Sequence, residues 1–388
     1  MKNIKKTINN IEDKFTKCTG CEACINICPQ KCITLTEQKK GFLYPEIDET
    51  KCVGCEKCIK CCPINSCTYK EHQIAVLTFK NADSIRACST SGGFFAFISE
   101  YVLAQNGVVY GAVFDKDFTV MHIRGENVND RNRMMHSKYV QSKIGNCYKL
   151  VKTDLINEVP VLFTGTPCQI SGLNNYLLAD NIPTDKLITC DIICHGVPSP
   201  VVWKDYLSYI ENKYNDRIQE INFREKELGW HRPRLQIIMH NNMQLLDEKK
   251  DIFYQLFYSN CILRPSCHSC QYTSVNRVSD ITMADCWGIE ISHPEMDDNK
   301  GLSLLLINSE KGMQIIRDTN VKVSGIDLTD VRQPHLYCSA KMSRKREAFW
   351  RDYQKMTFIK VVKKYCNITM KNKMINYFKG LLVKVLKR

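Results

Sequence analysis

Cys18, Cys21, Cys24 and Cys28, closed by Pro29, stand at the spacing C-x2-C-x2-C-x3-C-P, and Cys52, Cys55, Cys58 and Cys62, closed by Pro63, repeat it. Four thiolates in so short a run can wrap one face of a cubic iron–sulfur cluster, and the proline stops the chain from continuing through it. Where two such runs are paired, the first three cysteines of a run hold one cluster and the fourth ligates the other. On that logic Cys18, Cys21, Cys24 and Cys62 hold one [4Fe–4S] cluster, and Cys52, Cys55, Cys58 and Cys28 hold a second. A single CxxC can also be a zinc pair or a redox dithiol, but structural zinc uses paired CxxC knuckles, often with histidine. A disulfide framework would require an oxidising compartment. Cys32 lies just after Cys28-Pro29 and Cys61 at a spacer position; neither needs a special role.

This stretch resembles the two-cluster bacterial ferredoxins over about residues 10–68. Clusters of this kind pass single electrons and do no substrate chemistry alone, so the elements that follow must supply it. At 388 residues the chain is long enough for two or three domains with cores of their own. Met1-Lys2-Asn3-Ile4-Lys5-Lys6 has no apolar stretch behind it, so no signal peptide is read. The longest apolar runs, such as 302–307 broken by Ser303, fall far below a membrane span. Twenty-two cysteines then argue for a reducing cytoplasm, where thiolates serve metals. The formal charge of +13 is carried wholly after Ala340, where the only acids are Glu347 and Asp352; the first 340 residues balance. The basic character therefore belongs to the tail and says nothing about the body.

Beyond the cysteine runs, 74–79 reads as a buried strand. Ser89-Thr90-Ser91-Gly92-Gly93 precedes an apolar-periodic helix over 94–104, with serines suited to N-caps and glycines that let a ligand approach the backbone. Such a start is either a phosphate site or a plain capped helix. No GxGxxG supports a Rossmann-type fold. The stretches 107–114 and 118–123 read as a hairpin over Asp115-Lys116-Asp117. Ser137, Lys138, Gln141 and Ser142 stand in a polar stretch able to grip a phosphate or a flavin edge, or to serve as a solvated loop.

Two later segments share one design: a strand over 159–163 breaks at Thr164-Gly165-Thr166-Pro167-Cys168-Gln169, and a strand over 187–193 breaks at Cys194-His195-Gly196-Val197-Pro198. A helix follows each; in the second, over 199–214, Trp203, Tyr206, Leu207 and Ile210 share a face. Strand–turn–helix units in series make a parallel sheet, with ligands beyond its carboxyl ends, so Cys168 and Cys194 are expected on one rim. The region 218–246 looks antiparallel, and 251–260 is a short aromatic helix. Cys267-x2-Cys270 is half of a metal site. Cys168 and Cys194 can complete it as a third cluster, with Cys261 the main competitor and Cys286 a weaker one. Zinc, with His268 or His195 as a ligand, is the alternative.

Ser-Thr-Ser-Gly-Gly at 89–93, Ser-Lys-Tyr-Val-Gln-Ser at 137–142, Gly-Thr-Pro-Cys-Gln at 165–169, Ile-Cys-His-Gly-Val-Pro at 193–198, Leu-Arg-Pro-Ser-Cys-x2-Cys at 263–270 and Ser-Asp-Ile-Thr-x2-Asp-x-Trp-Gly at 279–288 occur in this order. With them the chain from about 72 to 335 resembles the beta-subunit family of coenzyme F420-reducing hydrogenases and F420-linked dehydrogenases. The resemblance implies FAD and a [4Fe–4S] cluster in the body, fed by the N-terminal pair. It implies Ser91, Gly92, Gly93, Ser137, Lys138, Tyr139 and Ser142 for the flavin pocket, and Cys168, Cys194, Cys267 and Cys270 for the body cluster. Cys286 replaces the aromatic expected in many relatives.

The expected fold is α+β. A two-cluster ferredoxin-like domain (1–70) precedes a larger α/β body with a mixed sheet, divided into an N-terminal-like (71–158) and a C-terminal-like flavin/Fe–S domain (159–340), then a basic helical tail (341–388). The expected function is a flavin-dependent iron–sulfur oxidoreductase, in which single electrons from clusters become hydride exchanged with an F420-like or other small acceptor. His195 and Lys138 are the best-placed proton-transfer groups, although a lone histidine is more often a structural hydrogen-bond partner. The alternative is a non-catalytic electron-transfer subunit feeding a separate enzyme. A redox partner protein or ferredoxin pool and a small-molecule acceptor or donor are the expected partners. A nucleic-acid role is disfavoured, because the balanced body has no basic stripe. In the tail Ile375, Phe378, Leu381, Leu382, Val385 and Leu386 fall at helical spacing among lysines, either a membrane-surface helix on the cytoplasmic face or a helix packed on the body.

Overall fold

Each cysteine run folds the same way, and the backbone repeats where the spacing does. Gly20 and Gly54 both have φ of 71°, and Glu22 (φ 62°) and Glu56 (φ 59°) each enter a single-turn helix, Ala23–Ile27 and Lys57–Lys60. Left-handed residues at matching places coil each run so that its thiols share one side. Between the runs, β1 (Ile33–Glu37) and β2 (Leu43–Ile47) form an antiparallel pair. A computed structural model describes the chain over residues 7–11, 13–70 and 73–366. The amphipathic stretch expected after Met374 lies outside these residues, as does the question of a membrane contact there.

The body is built on one eight-stranded mixed sheet. Its strands are β3 (Ala75–Phe79), β4 (Val108–Phe114), β5 (Val120–Gly125), β6 (Val161–Gly165), β7 (Leu187–Ile192), β11 (Ile281–Asp285), β12 (Ser303–Ile307) and β13 (Val323–Gly325). They lie in the order β13-β3-β12-β11-β7-β6-β4-β5. The central run β4, β6, β7 and β11 is parallel, flanked by antiparallel β5 and β12. Strand β12 is buried at all five positions, as befits a sheet covered on both faces. The boundary expected between residues 158 and 159 runs inside this sheet, because β3, β4 and β5 come from one side of it and the other five strands from the other. A second, three-stranded antiparallel sheet holds β8 (Ile218–Glu225), β9 (Arg234–Met239) and β10 (Met243–Asp247). It packs with the helices Pro200–Tyr214 and Ile252–Tyr258, burying Trp203, Tyr206, Leu207 and Ile210.

Register brings the strand ends together. Gly165 pairs with Asp191, and Ile192 with Met283, so β6, β7 and β11 finish at one edge. The Ser-Asp-Ile-Thr motif holds that register. Asp280 accepts from the Thr189 N–H (2.9 Å) and hydroxyl (2.7 Å), while Asp191 pairs with Arg277 at 3.2 Å. All four groups are buried, and leaving any of them unpaired would cost about 1–3 kcal/mol.

One expected detail is corrected. The helix Phe94–Leu103 is capped by Gly93 at φ 86°, with no side-chain cap. The Ser89 and Ser91 hydroxyls donate instead to the Ile85 and Leu302 carbonyls, both at 2.7 Å. The turn enters the helix through a left-handed glycine, leaving Ser89 bonded back to Ile85 and Ser91 to the backbone at Leu302.

Candidate functional site

Cys18, Cys21, Cys24 and Cys62 line one small cavity walled by Ile8, Ile11, Leu35, Pro45 and Ile64. The last cysteine of the second run thus sits with the first three of the first run. The thiol of Cys58 feels the charges of Cys55, Cys28 and Cys52, the reciprocal grouping. Cys32 is buried against this second set, its sulfur 3.4 Å from that of Cys28. Burial, and then the charge of Cys62, pushes the Cys21 thiol well above its ordinary range, and burial pushes Cys62 to about 12. Alone these thiols stay protonated at neutral pH. A cationic iron–sulfur core is the kind of partner that would hold them as thiolates.

The body set is assembled by three separate turns. Thr166-Pro167-Cys168-Gln169 starts the helix Pro167–Ala179: Pro167 occupies the first turn, and the Gln169 side chain accepts from the Thr166 N–H at 3.0 Å. Cys168 follows at the second helical position, its sulfur 3.2 Å from the Thr166 hydroxyl. Cys194 stands near the start of the loop after β7. There Gly196 (φ 139°) brings the backbone against Cys267, whose sulfur accepts from the Val197 N–H at 3.4 Å. Cys267 lies within the single turn Pro265–Ser269, and Cys270 caps its C-terminal end. The Cys194 thiol, pushed well up by burial, feels Cys267, Cys168 and Cys270, so the four converge. Among the described residues no three His, Cys, Asp or Glu side chains close tightly enough around a point to hold one bare ion, and the four thiols are spread more widely than that.

The competing ligands lie elsewhere. Cys261 is buried in the core, where its carbonyl accepts from Arg346 (2.7 Å) and Trp350 (3.0 Å). Cys286 packs with Trp230, Ile289 and Leu302. The ring nitrogens of His195 are taken by His335 (2.7 Å) and Asn260 (2.8 Å); His268 Nδ1 donates to the Ala340 carbonyl at 2.8 Å and its buried Nε2 has no partner, but the residue lies off the cavity wall that the four cysteines line. The N-terminal and body sets are neighbours. The Cys21 thiol feels Cys168, and Cys21 packs closely against Gly172, where a Cβ would lie 3.1 Å from its sulfur.

A cavity of about 720 Å³ opens beyond the carboxyl ends of β6, β7 and β11, and all four body cysteines lie on its wall. That volume is within the range of cofactor sites, roughly 300–1,000 Å³. Ser91, Gly93, Ser137, Lys138, Tyr139 and Ser142 line it, as does His195. Gly92 does not; a Cβ there would strike the Phe79 carbonyl and the Ser303 N–H, so this glycine serves packing against the sheet rather than approach by a ligand. Burial lowers Lys138 to about 7, and its ammonium donates to the carbonyls of Met134, Met135 and His136. It pins its own loop and brings a positive charge to the wall. Burial and the neighbouring His335 lower His195 to about 4, so its imidazole is neutral at physiological pH.

The strongest ligand-seeking group was missed by sequence reasoning. Arg224, at the end of β8, is buried on the cavity wall with Nε and Nη2 lacking any partner. Its Nη1 reaches Tyr139 (3.4 Å) and Asp285 (3.5 Å), and its guanidinium lies over Trp287, which stacks on Trp230 at 4.5 Å. Buried His136 Nδ1 on the same wall also lacks a partner. A single arginine in a strand carries no motif; only its position across from Asp285 at the end of β11 singles it out. An apolar slot with unpaired polar groups, the foremost of them a cationic donor, suits a large planar ligand bearing anionic groups, and FAD fits that description.

Two family models match the chain. One describes a 4Fe-4S dicluster domain and covers residues 17–66; the other describes the C terminus of the coenzyme F420 hydrogenase/dehydrogenase beta subunit and covers residues 160–330. No curated protein matches it. Among solved structures it is similar to a chain of the F420-reducing [NiFe] hydrogenase complex from Methanosarcina barkeri, with 14% identity, a TM-score of 0.44, and 77% of this chain and 94% of that chain covered. A 4Fe–4S dicluster domain is thus joined in one chain to a body whose residues 160–330 match the C-terminal region of the coenzyme F420 hydrogenase/dehydrogenase beta subunit.

Proposed function

We propose that this chain is an iron–sulfur flavoprotein oxidoreductase that carries electrons through three [4Fe–4S] clusters to FAD in the 720 Å³ cavity. Cys52, Cys55, Cys58 and Cys28 hold the outermost cluster, Cys18, Cys21, Cys24 and Cys62 the next, and Cys168, Cys194, Cys267 and Cys270 the third. The observation that carries this reading is the shared wall: the body cysteines line the cavity, and Cys21 of the N-terminal set packs against Gly172, one helical turn from Cys168. Clusters carry one electron at a time, while a flavin takes electrons singly and gives up two as hydride, so the order of sites suits conversion between the two currencies.

The chain's own residues do the rest. Cys55 and Val53 are exposed, so the outermost set faces solvent and a redox partner protein. Arg224 anchors an anionic part of the cofactor through its two free donors, and Tyr139 and Trp287 bound the slot. In its protonated form Lys138 brings a positive charge to the wall, which favours electron-rich states of a bound ring. His195, neutral and held by His335 and Asn260, orients the rim; the proton-transfer role falls to Lys138, whose pKa of about 7 suits it. A small acceptor, F420-like or otherwise, takes the two electrons.

Anaerobic purification with iron, sulfide, zinc and flavin measured together tests this. About twelve irons per chain, one FAD and little zinc are expected, with Cys267→Ser lowering iron to about eight. Eight irons with one zinc would make Cys267 and Cys270 a structural zinc site, and clusters without any capacity to bind flavin would leave a pure relay.

A further inference from the structure

Arg264 lies at the junction of the dicluster domain and the body, and it is 1% exposed. Its guanidinium reaches into the first cysteine run. Nε donates to the Cys18 carbonyl at 2.7 Å, Nη2 to the Leu43 carbonyl at 2.9 Å and, at 3.7 Å, to the Cys18 sulfur. Nη1 donates to Gln141 at 3.0 Å, and the plane lies over Tyr44 at 4.4 Å. Gly20 makes room for it, since a Cβ there would fall 2.9 Å from Nη1. The backbone of Arg264 belongs to the other set: its N–H donates to Val197 beside Cys194, and its carbonyl accepts from the Cys267 N–H at 3.0 Å. The thiols of Cys168 and Cys267 both feel its charge.

Among the described residues no carboxylate forms an ion pair with Arg264. Glu22, which feels its charge, is engaged by the N–H groups of Ile144 and Gly145 at 3.1 and 2.9 Å. A buried guanidinium without a counter-charge is costly, and the thiolates on its two sides are the anions within reach. We infer that Arg264 is a positioning residue for electron transfer: the shared counter-charge of the two cysteine sets that meet at the domain junction, placed to raise the reduction potentials of both clusters together. The inference rests on both sets being cluster ligands. In the step it serves, one electron leaves one cluster and enters the other; no bond or proton is exchanged, so the energy of the step follows the charge around each end. Positive charge beside the sulfurs stabilises the reduced form, and a group touching both sets does so at both ends, keeping the transfer nearly level.

The test is a redox titration of the full-length, anaerobically purified protein, reduced with dithionite and followed by electron paramagnetic resonance. Arg264→Gln is expected to keep its iron and to lower the electron affinity of two of the clusters at least tenfold, about 59 mV for one electron. Arg264→Lys retains the charge and is expected to restore most of the potential while losing the forked hydrogen bonds. Gln141→Glu places a carboxylate against the intact guanidinium and is expected to shift the same two potentials downward, which decides the matter if Arg264→Gln fails to assemble. Iron-loaded Arg264→Gln with wild-type potentials would overturn the inference, as would an unshifted Gln141→Glu. Preparations of the unmodified protein without clusters would instead remove the reading on which it rests.

Discussion

His122 shows how one buried side chain ties the cavity wall to pH. Its Nε2 lies 2.9 Å from the Thr164 carbonyl, which can only accept, so Nε2 carries the proton and Nδ1 accepts from the Ser142 hydroxyl at 2.7 Å. The ring stacks on Phe163 at 5.3 Å, and burial, with the charge of Lys138 adding to it, lowers its pKa from 6.5 to about 4. Between those two values the unfolded imidazole binds a proton that the folded one refuses. Stability is therefore full above pH 6.5 and is lost as the pH falls toward 4, by an amount on the order of 3 kcal/mol. Urea unfolding from pH 7.5 to 4.5 should show this decline, and His122→Gln should flatten it. An unchanged acid slope in the variant would assign the effect to other groups. The cysteines were legible at this scale because metal ligands must recur at fixed spacing. Arg224 and His122 were not, because a side chain that satisfies or seeks a partner across the fold leaves no local pattern.

The helix Pro167–Ala179 is the element on which two cysteine sets meet. Its first turn presents Cys168, and one turn further on Gly172 receives Cys21. In an isolated helix, Gly→Ala would add about 1 kcal/mol of stability. Here the new methyl would lie 3.0 Å from Cys21 Cβ, 3.1 Å from its sulfur and 3.0 Å from the Tyr148 hydroxyl, all buried. Overpacking of that kind costs about 1–3 kcal/mol and outweighs the propensity gain. Gly172→Ala is expected to lower the melting temperature and to speed iron release to a chelator; a more stable variant with wild-type iron retention would show that the contact relaxes freely. Strand–turn–helix order was readable from apolar runs punctuated by Gly-Thr-Pro and His-Gly-Val-Pro. The cap of the helix Phe94–Leu103 was not, because the hydroxyl residues ahead of it compete for that place, and Ser89 bonded back to Ile85 while Ser91 was taken by Leu302 across the fold.

At the scale of the whole molecule, the dicluster domain is fastened by polar bonds that its ferredoxin-like pattern does not foretell. Glu22 accepts the N–H groups of Ile144 and Gly145, Asn26 donates to the Gly145 carbonyl at 2.9 Å, and Lys57 pairs with Asp180 at 2.9 Å. Because Glu22 is buried, Glu22→Ala strands two backbone donors at a cost of about 1–3 kcal/mol each. Hydrogen exchange should then quicken in residues 17–66 and around 144–146 while the central strands β6 and β7 stay protected. Faster exchange throughout the sheet would mean that docking and body folding are one event. Among the described residues no helix is long and apolar enough to cross a membrane.

The sequence by itself determined the two cysteine runs, the alternation of strand and helix, and which cysteines stand at strand ends, because ligand spacing and apolar periodicity are local constraints. Only the tertiary structure decided that Cys168, Cys194, Cys267 and Cys270 converge while Cys261 and Cys286 turn into the core, and that Arg264 spans the junction. Those outcomes depend on sheet register and domain docking, where residues a hundred or more positions apart are held by packing that no short stretch of the chain encodes.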